Sequence, residues 1–275
     1  MKPLKDRLVL VTGAASGIGY ECARAFAKRG ARLVISDINA AALEKARIEL
    51  TAAGARCNAI ACDVASEESV NALAAAVARD VGPVDVLVNN AGIAFLGSFE
   101  ETPLAQWRRI LEVNVLGIVH CVRAFLPSMR AAGGERKIVN VASLAGFAPA
   151  PNMSAYGASK HAVVGLSEVL ALELHDTPIS VLIVCPGIIN TPIVHVSGTA
   201  PGMSEAQLTK LQQYYDAKGC HPSVVADDIV RAVENDDIVL PTGPMARVGY
   251  VLMRLSRRLA RKLTISGAKE SGYLP

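Results

Sequence analysis

Aromatic residues are scarce in this chain, 4% of 275 residues with a single tryptophan. An interior with so few rings must be filled by Ala, Val, Leu and Ile, which suits the continuous apolar runs of a buried parallel sheet. Stacking platforms for bases are lacking too, and no base-reading motif accompanies the cationic residues, so nucleic acid is not an expected partner. Nor does any apolar run approach the roughly 18–20 residues a membrane span needs. The opening Met1-Lys2-Pro3-Leu4-Lys5-Asp6-Arg7 leads straight into a strand instead of a signal-peptide core, and a cytoplasmic protein is expected. Cysteine pairs are missing: the six cysteines at 22, 57, 62, 121, 185 and 220 form no C-x-x-C and no metal-like cluster. Free buried thiols and no metal are the expectation. No linker divides the chain, so residues 1–275 are read as one domain. Finally, residues 245–262 hold six Arg/Lys and no acid, while the whole chain has a formal net charge of only +3. Basicity is therefore local.

What the chain does have is alternation. Apolar, β-branched runs near 8–12, 32–36, 56–61, 84–88, 136–142, 179–184 and 237–240 are separated by longer Ala-rich amphipathic stretches. Right-handed crossovers between such strands predict a doubly wound α/β fold, a mostly parallel seven-stranded sheet with helices on both faces and ligands at the strands' carboxyl ends. Thr102 before Pro103 reads as an N-cap opening a long helix that ends near Gly133-Gly134. Residues 190–222 break the pattern with Pro192, Gly198, Pro201, Gly202, Gly219 and Pro222 around a helical stretch at 204–218, and are read as a mobile substrate lid.

After the first strand comes Thr12-Gly13-Ala14-Ala15-Ser16-Gly17-Ile18-Gly19, with a helix expected from about Tyr20. Such a turn leaves backbone bare where a pyrophosphate approaches a helix N-terminus. Asp37 follows the second strand, 18 residues after Gly19. It is either a solvated strand-end carboxylate, the N-cap of the next helix, or the acceptor of the adenosine ribose hydroxyls, and the last reading is preferred. That carboxylate would repel a 2′-phosphate. Ser16 and Ile38 offer no compensating cation, and Arg32 lies at the wrong end of its strand, so NAD(H) is expected over NADP(H). Asp63-Val64 closes the third strand and Asn89-Asn90-Ala91-Gly92 the fourth, on the same rim.

Tyr156 and Lys160 are spaced to share one helix face, with Ser143 upstream. A phenol ionises near pH ~10 and is a poor base unless a fixed positive charge stabilises the phenolate. These pieces, with Asn114 and Pro186-Gly187-x-x-x-Thr191, resemble the short-chain dehydrogenase/reductase family over residues 7 to about 192. The resemblance implies a Rossmann-type domain in which Tyr156 exchanges a proton with the substrate oxygen and Ser143 hydrogen-bonds that oxygen. Lys160 would lower the tyrosine's pKa and bind the nicotinamide ribose, and Asn114 would hold a water linking Lys160 to solvent. Cofactor contacts would come from Gly13, Ser16, Gly17, Ile18, Gly19, Asp37, Asp63, Val64, Asn90, Ala91, Gly92, Tyr156, Lys160, Pro186, Gly187, Ile189 and Thr191. Family members are commonly homotetramers or dimers that bury helices corresponding to 102–131 and 153–175.

The positions implied to face substrate are Ala94, Phe95, Leu96, Leu144, Ala145, Met153, Ile188, Ile189 and Val194, without a cation to clamp a carboxylate or phosphate. A hydrophobic secondary alcohol or its ketone is expected, steroid, terpenoid or lipid-like, with oxidation by NAD+ favoured. His195, in the lid, is read as a solvated side chain in preference to a substrate contact. The basic amphipathic helix at 245–263 carries Val248, Val251, Leu252, Leu255, Leu259 and Leu263 opposite its arginines, and is read as covering the pocket or another subunit in preference to lying on an anionic membrane. The competing functional readings are an NAD(P)H-dependent carbonyl reductase and a catalytically idle NAD-binding or membrane-surface protein.

Overall fold

A computed structural model describes residues 3–148, 150–191, 193 and 198–274. Seven parallel strands form one sheet in the order β3-β2-β1-β4-β5-β6-β7: β1 (Leu8–Thr12), β2 (Arg32–Asp37), β3 (Arg56–Ala61), β4 (Val86–Asn89), β5 (Arg136–Val141), β6 (Ile179–Pro186) and β7 (Val239–Thr242). The helices between them are α1 (Gly17–Lys28), α2 (Ala40–Ala52), α3 (Glu67–Asp80), α4 (Leu104–Leu111), α5 (Gly117–Ala132), α6 (Ser154–Glu173), α7 (Glu205–Lys218) and α8 (Pro222–Asn235). Two further helices, α9 (Ala246–Leu255) and α10 (Arg257–Ser271), follow the last strand.

The period of two along a strand decides which layer each residue feeds. In β1, Val9 and Val11 pack with Phe26 of α1, Leu43 and Leu50 of α2, and Ile229 and Val233 of α8. Leu8 and Leu10 point the other way, into Val70 and Leu73 of α3, Phe125 and Met129 of α5, and Leu170 of α6. All five residues of β1 are buried, as a central strand covered on both faces requires. The strand order reverses direction between β1 and β4, and the crevice beyond their carboxyl ends is where a ligand of such a sheet sits.

Several boundaries differ from expectation. Helix α1 begins at Gly17, not near Tyr20, and β3 ends at Ala61, two residues before Asp63. The N-cap of α4 is Pro103, not Thr102, because the Thr102 hydroxyl is turned back to donate to the Ser98 carbonyl at 2.7 Å. The long helix is interrupted by a π turn at Glu112–Leu116 before continuing as α5. Taken together, Leu104–Ala132 is long and apolar enough by length and composition to cross a membrane. An uninterrupted count misses this because Arg108, Arg109, Glu112 and Arg123 divide the run. Here its Ile118, Cys121, Phe125 and Met129 side is buried against the sheet. The tail is two helices instead of one, since Ser256 leaves the helical region and caps α10 through the Leu259 N–H.

A buried polar chain joins β4, β5 and α6. Asn89 Nδ2 donates to Asn140 Oδ1 at 2.8 Å, Asn140 Nδ2 to Ser167 Oγ at 2.9 Å, and Ser167 Oγ to the Val163 carbonyl at 2.6 Å. Ser167→Ala removes the acceptor and strands a buried amide donor. It is expected to lower the unfolding free energy by about 1–3 kcal/mol in urea titration, with the slope unchanged.

Candidate active site

The glycine turn is held from two sides. Asn90 Nδ2 donates to the Thr12 and Gly13 carbonyls at 3.0 and 3.1 Å, while the Thr12 hydroxyl accepts from the Asn90 and Ala91 N–H groups, both at 3.1 Å. Gly19 passes so close beneath that a Cβ there would lie 2.2 Å from the Gly13 carbonyl oxygen. Asp37 braces the turn from β2, its carboxylate accepting from the Ala15 N–H at 3.1 Å and the Asn39 N–H at 3.0 Å. It is not the cap of α2; Asn39 is, through the Ala42 N–H.

Beyond this turn runs a groove of about 270 Å³ with Gly13, Ser16, Gly17, Ile18 and Asp37 on one bank. Asp63, Val64, Asn90, Ala91 and Gly92 form the other, joined by Arg109, whose guanidinium lies 3.6 Å from Asp63 Oδ2. The glycine-rich backbone along the groove and the carboxylate at the β2 end fit a dinucleotide, with phosphates over Gly13–Gly19 and a ribose at Asp37. Gly19 itself is buried beneath the turn.

A second cavity of about 310 Å³ adjoins the groove, and Ile18, Asn90, Gly92, Thr191 and Ile193 line both. Ser143, Tyr156 and Lys160 line it together, with Pro186, Gly187 and Ile189 alongside. Ser143 caps a short 3-10 turn, Leu144–Gly146, and accepts from the Ala145 N–H at 3.1 Å. Tyr156 and Lys160 come from the first turns of α6, and the lysine's Nζ donates to the Val141 carbonyl at 2.8 Å, 5.7 Å from the tyrosine ring centroid. Gly187 is glycine because a Cβ would lie 1.8 Å from the Pro244 carbonyl oxygen, where the β7 connection crosses β6. Asn114 sits in the π turn, fully buried: its Oδ1 accepts from the Ile93 N–H at 2.8 Å, and Nδ2 donates to the Ile93 carbonyl and to Ser159 Oγ at 2.9 and 3.0 Å. Ser159 in turn donates to the Tyr156 carbonyl at 2.7 Å, which ties the π turn to the helix that carries the tyrosine.

A family model described as short chain dehydrogenase matches residues 7–202. The chain belongs to the short chain dehydrogenase family. Among its relatives, the probable oxidoreductase EphD of Mycobacterium tuberculosis is 40% identical over 263 residues. That match takes in 94% of this chain but only 44% of EphD, so the chain spans less than half the length of that relative. The 1-deoxy-11-beta-hydroxypentalenate dehydrogenase of Streptomyces exfoliatus is 37% identical over 195 residues, 70% of each chain. A short chain dehydrogenase/reductase from Burkholderia phymatum, solved in complex with NAD, superposes with a TM-score of 0.84 at 30% identity over 96% of both chains.

Within this short chain dehydrogenase, desolvation governs the electrostatics. Burial pushes the Tyr156 phenol up to about 12, and the neighbouring Ser143 hydroxyl is the influence that opposes it. Burial also pulls the Lys160 amine down to about 8. The amine is itself desolvated and donates to the Val141 carbonyl, while Ser143 is the neighbour that lowers the phenol. The Cys185 thiol beside it is driven up to about 12 by burial, which removes it as a nucleophile. All six cysteines are free.

Of the positions expected to face substrate, Ala94, Leu96, Leu144, Ala145, Met153, Ile188 and Ile189 line the cavity. Phe95 does not; it is core, packed with Ile110, Ala155 and Ala200. Pro192, Val194 and His195 lie outside the described residues. The sequence reading missed Tyr214, Tyr215 and Tyr273, which complete the wall, with the Tyr215 and Tyr273 hydroxyls 2.8 Å apart. Three tyrosines among six in the whole chain, all beyond the family match, were the available signal. Arg109 was missed because it is one of two consecutive arginines on an amphipathic helix, whose default place is solvent.

The folded amine of Lys160 titrates below its value of 10.5 in the unfolded chain, so between about pH 8 and 10.5 the unfolded state binds more protons and stability from this group rises with pH. Below pH 8 its burial is a cost felt in full. Cofactor-free Lys160→Met is therefore expected to be more stable than the parent at pH 7, by up to about 3 kcal/mol, with the difference shrinking toward pH 10.5. Denaturant titrations of both proteins across that range check it.

Proposed function

We propose that this protein is an NAD(H)-dependent oxidoreductase that interconverts a hydrophobic secondary alcohol, steroid, terpenoid or lipid-like, and its ketone, with Tyr156 as the acid/base. The observation that carries this is the placement of Ser143 and Tyr156 in an apolar cavity whose wall is shared, at Ile18, Asn90, Gly92 and Thr191, with the glycine-lined groove. A protein that merely binds the dinucleotide needs neither Ser143 nor Tyr156.

The bound nicotinamide supplies or accepts the hydride. The chain's own groups manage the oxygen. As a neutral phenol at pH 7, Tyr156 donates to a ketone oxygen with the Ser143 hydroxyl as a second donor, and it releases its proton to that oxygen during reduction. In the oxidation direction it must take the alcohol proton as a phenolate, and stabilising that anion falls to Lys160, the one cation among the described residues lining the cavity. Asn114, through Ser159, holds the first turn of α6 in place. The thirteen-residue step from Ser143 to Tyr156 is bridged across the same cavity.

Substrate class follows from the lining. A carboxylate or phosphate moved into this cavity would lose hydration with only Lys160 to offset it, at a cost of several kcal/mol. NAD(H) over NADP(H) is supported by Asp37, whose carboxylate faces the groove where a 2′-phosphate would sit, while Arg32 is turned away to the Asp6 and Val81 carbonyls. The second reading, an NAD(P)H-dependent carbonyl reductase, is favoured by Arg109, a cation in the groove, though it lies beside Asp63. A homodimer or tetramer belongs to the same proposal, supported by Leu104, Leu116, Val169 and Leu172 exposed on α4, the π turn and α6.

Tyr156→Phe keeps the ring and removes the proton. Its NAD+ reduction across a panel of steroid, terpenoid and aliphatic secondary alcohols should fall by at least ~10²-fold, with NADH binding within a factor of about two of the parent; turnover near the parental rate would refute the assignment. In fluorescence titrations NADH should bind at least ~10-fold more tightly than NADPH, since a phosphate dianion against Asp37 costs more than about 1.4 kcal/mol. The opposite order would favour the carbonyl reductase.

A further inference from the structure

Helices α9 and α10 divide their apolar residues in a way a simple cover does not need. On the inner side Gly249, Leu252, Met253, Ala260 and Ala268 line the cavity. That side is firmly seated: Phe147 and Tyr250 meet edge to face at 5.0 Å, and the Asn152 amide donates to the Tyr273 carbonyl beyond α10. On the outer side Val251, Leu255 and Leu259 are exposed, Leu255 to 79%. Met245, Val248 and Leu263 belong to both sets, lining the cavity while 54%, 60% and 53% exposed. The mouth of the cavity therefore opens within the exposed apolar stripe.

Charge says what covers that stripe. Arg247, Arg254, Arg257, Arg258, Arg261 and Lys262 are all exposed, with no acid between 245 and 262. None is ion-paired among the described residues; Arg254 stacks over Tyr250 at 4.1 Å. Two copies meeting through this face about a twofold axis would set six cations against the same six. A neutral bilayer would accept the apolar stripe but leave the cations unpaired. Anionic headgroups above acyl chains match both. We propose that α9 and α10 form a docking surface for an anionic lipid bilayer, seated so that the apolar cavity opens onto the membrane. The surface is independent of the redox reading; only its use as an entrance for lipophilic substrate rests on it.

The test is co-sedimentation of the full chain with phosphatidylcholine vesicles and with phosphatidylcholine/phosphatidylserine vesicles, alongside light scattering and hydrogen exchange. The parent should bind only the anionic vesicles, less at high salt, with protection gained over 245–263. Each surface cation is worth roughly fivefold in affinity for such vesicles, so Arg257→Glu/Arg258→Glu should lose at least ~10-fold. Leu255→Glu/Leu259→Glu should lose a comparable amount. Neither pair lines the cavity, so melting temperature and NADH binding should stay at parental values. Absence of binding to anionic vesicles, protection elsewhere, or variants that bind as the parent does would overturn the proposal. So would variants that split an oligomer in a protein that ignores lipid, which would make the face a subunit interface. Failure to turn over any alcohol would leave the vesicle result standing and count against the redox reading alone.

Discussion

Thr12 and Asn90 hold the carboxyl ends of β1 and β4 together, and both cavities exist because of that tie. Two backbone N–H groups converge on one threonine hydroxyl, and one asparagine amide spans two carbonyls of the turn. With Ala14, Ala15 and Ile18 packed on the core below, that tie fixes the height of the glycine turn above the sheet. The same tie places Asn90 and Gly92 as the wall common to groove and cavity. The groove thus ends where the apolar cavity begins. The positions of Ser143 and Tyr156 follow through β5 and α6, which are registered on β4 by backbone pairing and by the Asn89–Asn140–Ser167 chain.

Desolvation is the cost of this arrangement. Tyr156 and Lys160 are buried where each would sooner be neutral, and the shifts run in opposite directions, up to about 12 for the phenol and down to about 8 for the amine. At pH 7 a neutral phenol therefore lies beside an amine that still carries its proton but holds it less firmly than an exposed lysine does. Any ligand that brings hydrogen-bond acceptors to Lys160 secures that charge, and through it the capacity to stabilise a phenolate. Stability given up at such a site is typical of groups retained for chemistry.

Much of this was legible in the sequence, for identifiable reasons. Strands buried on both faces read as continuous apolar runs, and the turn after β1 has glycine where a Cβ would collide with backbone 2.2 Å away. The features that escaped depend on contacts distant in sequence. The π turn that carries Asn114 is one, formed where the Ile93 backbone is brought against that asparagine's amide. Thr102 had the residue type of an N-cap, but its hydroxyl found a nearer acceptor in Ser98. Phe95 sits among apolar cavity residues in sequence, and only the packing of Ile110 and Ala155 draws it into the core. The break at Ser256 was hidden by a hydrophobic period that continues through it on both sides.

The family match ends at residue 202, whereas Tyr215, Leu252, Met253, Leu263 and Tyr273 of the cavity wall all lie beyond it. The groups proposed to manage the substrate oxygen are thus encoded before that point, while the cavity wall draws on both parts of the chain. Helices α9 and α10 and the residues that follow reach the site through Leu144 beneath Gly249, Phe147 against Tyr250 and Asn152 on the Tyr273 carbonyl. Each joins the loop from Ser143 to Tyr156 to the tail. A change in the tail can therefore reshape the cavity while the Thr12–Asn90 tie and the first turn of α6 stay as they are. That separation explains how an apolar, partly exposed helix pair can be carried by a domain whose chemistry demands a fixed geometry.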